Sequence, residues 1–142
     1  MSRREPQAVE RKAERAVLVG VELPGTPGAP AGDGEDSLDE LARLCDTAGV
    51  QVVGRSVQRR RRPDVRTFIG SGKVEEIQEL LRDRDADVVV FDDPLSPAQQ
   101  RNLERTIGVG PGDEPRVKVI DRSQIILDIF AQRAHSLEGK LQ

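Results

Sequence analysis

Three groups of residues in this 142-residue chain carry enough charge or backbone freedom to do chemistry. The first is the arginine run Arg59, Arg60, Arg61 and Arg62, flanked by Arg55 and Arg66 and followed by a Pro63-Asp64 turn. Each guanidinium can fork onto two phosphate oxygens. Four consecutive like charges with no acid between them repel one another unless an anion gathers them. Contact with a polyanion is therefore favoured over a merely solvated loop. If all six arginines met phosphates of single-stranded RNA, the log–log salt slope would be roughly −4, at about −0.7 per contact.

The second group is Gly70-Ser71-Gly72-Lys73, and the third is Asp92 and Asp93 together with Asp121. Glycines ahead of a helix let backbone amides approach a phosphate, a lysine adds a point charge, and carboxylates can hold Mg²⁺. A nucleotide-binding P-loop needs a further Gly five residues before the Gly-Lys pair and a Ser or Thr after it. Those positions hold Thr67 and Val74, so both the opening glycine and the Mg²⁺-binding hydroxyl are missing. The alternative is a tight strand-to-helix turn with Lys73 solvated. For Asp93 and Asp121 helix-end hydrogen bonding is favoured over metal binding. One His near the end of the chain cannot complete a Ser/His/acid set.

These groups need elements to hold them. Ala16 to Val21 is a short, mostly β-branched run suited to a strand buried on both faces, and Pro24 to Gly34 is a loop. Ser37-Leu38-Asp39-Glu40 has the form of a capping box, so a helix is predicted from Ser37 to about Gly49, with Leu38, Leu41, Ala42 and Cys45 on its core face. Cys45 then serves packing. Val50 to Val57 reads as a second strand, Thr67 to Ile69 as a short third, and Val74, Ile77 and Leu81 as the apolar face of a helix. Ala86 to Phe91 is the clearest buried strand. Ser96-Pro97-Ala98-Gln99 is another capping box, with Pro where its missing N–H costs nothing, opening a helix to about Ile107. After a Gly/Pro/acid loop from Gly108 to Arg116 come a strand, Val117 to Ile120, and a helix capped by Asp121. That last helix is apolar on most sides, through Ile125, Ile126, Leu127, Ile129 and Phe130, and is expected to be deeply packed. Strands alternating with helices give an α/β fold: a small, mostly parallel sheet of four or five strands flanked by about four helices. Ligands in such sheets bind beyond the carboxyl ends of the strands, where Gly70 to Lys73, Asp92, Asp93 and Asp121 all fall.

With 36% hydrophobic and 33% charged residues the chain has material for one core, not two. Residues 1–14 are polar and charged and are read as a disordered lead-in. No run reaches the roughly 20 apolar residues that span a bilayer, so no membrane insertion is expected and a cytoplasmic location follows by default. A single Cys and a single His leave no transition-metal site, and no metal is expected. Trp and Tyr are absent and Phe numbers 3, so RNA would be met through backbone and shape more than through base stacking. The net charge of −3, from 22 Lys and Arg against 25 Asp and Glu, averages acidic helices against one arginine loop.

Three ordered stretches carry a family resemblance: RTFIGSGKVEEI (Arg66 to Ile77), VVVFDDPLSPAQQRNLE (Val88 to Glu104) and VKVIDRSQIILDIFAQRA (Val117 to Ala134), followed by EGKLQ. Together they resemble the N-terminal domain of the HflX family of ribosome-associated GTPases. The resemblance implies an HflX-type N-terminal α/β domain over 15–134 and the first residues of a helical linker over 135–142, followed in the family by a Ras-like G domain. It also implies a cytoplasmic protein whose N-terminal part engages RNA of the large ribosomal subunit, in a family that splits or rescues stalled ribosomes. Gly110 to Arg116 is an insertion relative to the family pattern. No complete P-loop, Asn-Lys-x-Asp or switch region occurs, so no cofactor is expected for these residues. GTP and Mg²⁺ belong to the full-length family.

The expected function is a ribosome- and rRNA-docking module, monomeric, with the G domain as a partner in cis. Arg55, Arg59, Arg60, Arg61, Arg62, Arg66 and Lys73 are the expected phosphate contacts. Two alternatives stay open. One is a nucleotide (ATP) module built on Gly70, Ser71, Gly72, Lys73, Asp92 and Asp93; the other is a domain that only contacts protein.

Overall fold

A computed structural model of the chain describes residues 14–22, 33–59, 71–108 and 117–140. Within them lie β1 (Glu14–Glu22), α1 (Asp33–Ala48), β2 (Val50–Arg59), α2 (Ser71–Asp83), β3 (Val88–Phe91), α3 (Pro97–Ile107), β4 (Lys118–Asp121) and α4 (Arg122–Lys140). The strands form one parallel sheet in the order β2-β1-β3-β4. The α/β expectation holds, with four strands and four helices. The short strand at Thr67 to Ile69, most of the lead-in and the Gly110 to Arg116 insertion lie outside the described residues.

Alternation along the central strands divides the core in two. Val17, Val19, Val89, Phe91 and Val119 point to one face, where Val74, Ile77 and Leu81 of α2 and Leu103 and Ile107 of α3 cover them. Ala16, Leu18, Val88, Val90 and Ile120 point to the other, beneath Leu38, Leu41 and Cys45 of α1 and Ile125 of α4. All four residues of β3 are buried, as a strand covered by helices on both sides must be. Each large side chain so buried contributes about 1.5–3 kcal/mol relative to exposure. Gly20 lets α1 lie close on β1, since a Cβ there would meet the Leu38 side chain at 3.4 Å.

Helix ends follow local chemistry. Ser96 caps α3 through the amide of Gln99, whose side chain accepts in return from the Ser96 amide, so this capping box forms as predicted. Gly49 ends α1 in the left-handed region with φ +85, and Asp85 follows α2 with φ 53. Arg15 closes the same end of α2 by donating to the carbonyls of Arg84 and Asp85.

Two predicted features are corrected. The helix expected from Ser37 begins at Asp33, so Ser37 lies a turn inside α1 and its hydroxyl is turned to a tertiary partner instead of an N3 amide. The last helix is not deeply packed. Ile125 is fully buried and Ile129 packs against the core, but Leu127 and Phe130 are 60% and 63% exposed. Among the described residues α4 lies mainly along α1 and β4, which cover the stripe carrying Ile125 and leave Leu127 and Phe130 off it.

Candidate functional site

In this strand order the chain leaves β1 for β2 on one side and returns from β2 to β3 on the other. The topological switch point of the sheet is therefore between β1 and β3, where ligands of open α/β sheets bind. Asp92 sits there, just past β3, its amide donating to the Val19 carbonyl at 2.9 Å.

What fills this position is an ionic cluster formed by three elements. Arg122, the first residue of α4, donates through Nε to Oδ1 of Asp92 at 2.9 Å and through Nη1 to Oε1 of Glu40 at 2.7 Å. Its Nη2 also meets Asp92, together with the carbonyl and hydroxyl oxygens of Ser37 at 3.0 and 3.1 Å. The Ser37 hydroxyl in turn donates to Oδ2 of Asp92. Burial works against the Arg122 charge, but the bonds to Asp92 and Glu40 outweigh it and hold its pKa above the ordinary value. Asp93, half-buried and next to Asp92, is raised by burial first and by the Asp92 carboxylate second, against a bond from the Val21 amide. Asp121 caps α4 through the Gln124 amide at 3.1 Å and binds the Leu95 amide at 2.9 Å, the helix-end role expected of it.

The predicted phosphate loop is differently employed. Gly72 lies inside the first turn of α2, not in a strained turn. Lys73 is not solvated: its side chain is 13% exposed, and its ammonium bonds to Ser56 Oγ, the Val57 carbonyl and Glu76, each at 3.1 Å. A lysine has three donors, and these acceptors engage them all. Hydrogen bonds first from Ser56 and then from Lys73 lower the Glu76 pKa. These residues do not fit a nucleotide and its Mg²⁺, because Lys73 would have to surrender every partner and Asp92 is already committed to Arg122. Among the described residues no group of three or more His, Cys, Asp and Glu could hold a metal ion.

Of the predicted RNA-contacting arginines, Arg55 donates to Asp39 of α1 at 2.6 Å, so that charge is shared within the fold. Arg59 closes β2, in register with Glu22. Arg60, Arg61, Arg62, Arg66 and Gly70 lie outside the described residues. The structure thus brings Lys73 to the end of β2, from which the arginine run departs, and places Asp92 and Asp93 in a separate cluster at the switch point. Sequence reasoning missed Arg122, Ser37, Glu40, Ser56 and Glu76 as members of these networks. The one available signal was a charged pair, Asp121-Arg122, directly after a buried strand.

Comparison with known proteins agrees with this architecture. The family model "GTP-binding GTPase N-terminal" matches residues 35–131. The chain is 41% identical over 133 residues to GTPase HflX of Alkalihalophilus pseudofirmus, covering 94% of this chain and 29% of that protein. It is 45% identical over 132 residues to GTPase HflX of Lacrimispora saccharolytica, covering 91% and 27%, and 46% identical over 107 residues to GTPase HflX of Escherichia coli, covering 75% and 23%. The crystal structure of SsGBP with GDP shares the fold, with a TM-score of 0.55 at 18% identity over 84% of this chain and 29% of that one. The chain spans under a third of the length of these relatives. Matched by the family model over most of its described elements, the chain belongs to the GTP-binding GTPase N-terminal family and is an HflX-type N-terminal domain.

Proposed function

We propose that this domain docks an HflX-type GTPase on the large ribosomal subunit in the cytoplasm, through phosphates of its RNA met by the arginines from Arg59 to Arg66. The observation that carries the proposal is the sequence run Arg59 to Arg62, four consecutive guanidinium side chains with no acid between them, which starts at the last residue of β2. Lys73, by contrast, has its donors engaged within the fold. Paired charges gain little from a new anion, while a run of like charges gains much. GTP binding and hydrolysis are assigned to the rest of the full-length protein. The test is co-sedimentation of the chain with purified large subunits at low salt. Replacing Arg59, Arg60, Arg61 and Arg62 by Glu is expected to abolish it; retention at the unmodified level would refute docking through this run.

One observation favours a second role beside the first. Leu127 and Phe130 leave an apolar stripe uncovered on α4, as a surface that positions a partner domain would. Binding of the separately expressed G domain, lost on Phe130→Ser, would support it.

A further inference from the structure

Among the described residues β4 ends the sheet, and an edge strand leaves backbone groups that another strand can take. The Lys118 amide donates to the Asp87 carbonyl at 2.9 Å, on the side of β3, so Val119, one residue on, turns its N–H and C=O away from the sheet. Val119 is fully buried, which denies both groups water. Their partners come from α3. Oε2 of Glu104 accepts from the Val119 amide at 3.2 Å, and Nε2 of Gln100 donates to the Val119 carbonyl. The two side chains stand one turn apart on the helix, and between them they supply the acceptor and the donor that a neighbouring strand would supply.

The opposite edge is treated in a related way. Arg84 donates to the Val53 carbonyl of β2 at 2.9 Å, and Lys73 to the Val57 carbonyl at 3.1 Å. At β4 the match is closer, because the donor and the acceptor of one residue are both engaged. We propose that Gln100 and Glu104 form a side-chain seal that closes β4 against strand addition by a second copy of this chain. Two copies related by a two-fold axis at this edge would set β4 antiparallel to β4, and the two Val119 residues would exchange both hydrogen bonds. That pairing uses the same N–H and C=O that α3 holds, so the seal and the second copy compete for them.

The test follows the whole chain by sedimentation over a range of concentrations, with amide exchange at Val119 measured by NMR at both ends of that range. The wild type is compared with the double variant Gln100→Ala, Glu104→Ala and with Glu104→Gln, which removes the charge but keeps an acceptor. The double variant is expected to associate at concentrations about tenfold below those of the wild type, because an unsatisfied buried amide and carbonyl gain from a new partner. Its Val119 amide is expected to exchange about tenfold faster than the wild type's when dilute and to be protected again when concentrated. Glu104→Gln is expected to follow the wild type in both. Thermal unfolding shows which variants are folded; should the double variant not fold, Gln100→Ala alone, which frees the carbonyl only, is judged by its sedimentation. A folded double variant, or in its place Gln100→Ala, that associates no more than the wild type overturns the proposal. So does association that leaves Val119 unprotected, or Glu104→Gln associating as the double variant does.

Discussion

The Arg122 guanidinium places Nε 2.9 Å from Oδ1 of Asp92, so the head of α4 is held by the carboxylate that follows β3. Asp92 is 13% exposed and Arg122 23%, which leaves little water to replace a lost partner. Arg122→Ala is expected to cost about 2 kcal/mol, below the ~3–5 of a fully buried pair because Glu40 and part of the guanidinium remain hydrated. Urea denaturation checks this. Asp92→Asn should cost less than Arg122→Ala, since its amide oxygen still accepts from Ser37 or Arg122.

Asp93 works against the fold at neutral pH. Its pKa is raised above the ordinary 3.8 by burial and by Asp92, so the folded chain holds its proton more tightly than the unfolded chain does. Stability from this group is present below 3.8 and is lost as pH rises through the folded value. Asp93→Asn keeps an acceptor for the Val21 amide and removes the charge. It is expected to raise the melting temperature at pH 7, with the gain shrinking toward zero at pH 3; melting curves across that range measure it.

Cys45 is fully buried, and desolvation pushes its thiol up to about 11 against a smaller opposing effect from Arg122. At pH 8 roughly one thiol in a thousand is ionised, so alkylation of the native chain is expected to be negligible and to become rapid in urea. Rising pH also destabilises the fold between 9.0 and about 11, where the unfolded thiol ionises and the folded one does not. Labelling of native chain at the unfolded rate would contradict this burial.

Two apolar residues on α4 are expected to respond in opposite ways. Ile125→Ala removes a fully buried side chain between α1 and the sheet and should cost about 3 kcal/mol. Phe130→Ser alters a side chain that is 63% exposed and should change stability by no more than about 0.5 kcal/mol, while lowering the binding of a hydrophobic dye.

These contrasts mark where the sequence was legible. The buried strand predicted over Ala86 to Phe91 and the Ser96 cap rest on neighbouring residues; the cap formed as predicted, and the strand formed over Val88–Phe91, two residues shorter at its start. The Ser37 motif obeyed the same local rule and failed, because tertiary bonds to Asp92 and Arg122 recruited its oxygen. Periodicity in α4 identified apolar positions but not how many of them a neighbour covers. Arg122 and Ser37 are bonded across 85 positions, so only the crossovers of the sheet bring them together. Lys73 stood in an incomplete phosphate motif, yet the two side chains that claim it, those of Ser56 and Glu76, show no pattern until β2 and α2 are side by side.

The strand order also bears on how the chain is made. Of the four described strands β1 is made before the others and ends in the middle of the sheet, where Ala16 pairs with Val52 on one side and with Val88 on the other. A nascent chain can close β1, α1 and β2 early, but the second edge of β1 stays open until β3 emerges, and non-local parallel pairing of this kind is slow. The central position of β1 therefore means that its second edge finds its partner only after the chain has reached Phe91, the last residue of β3.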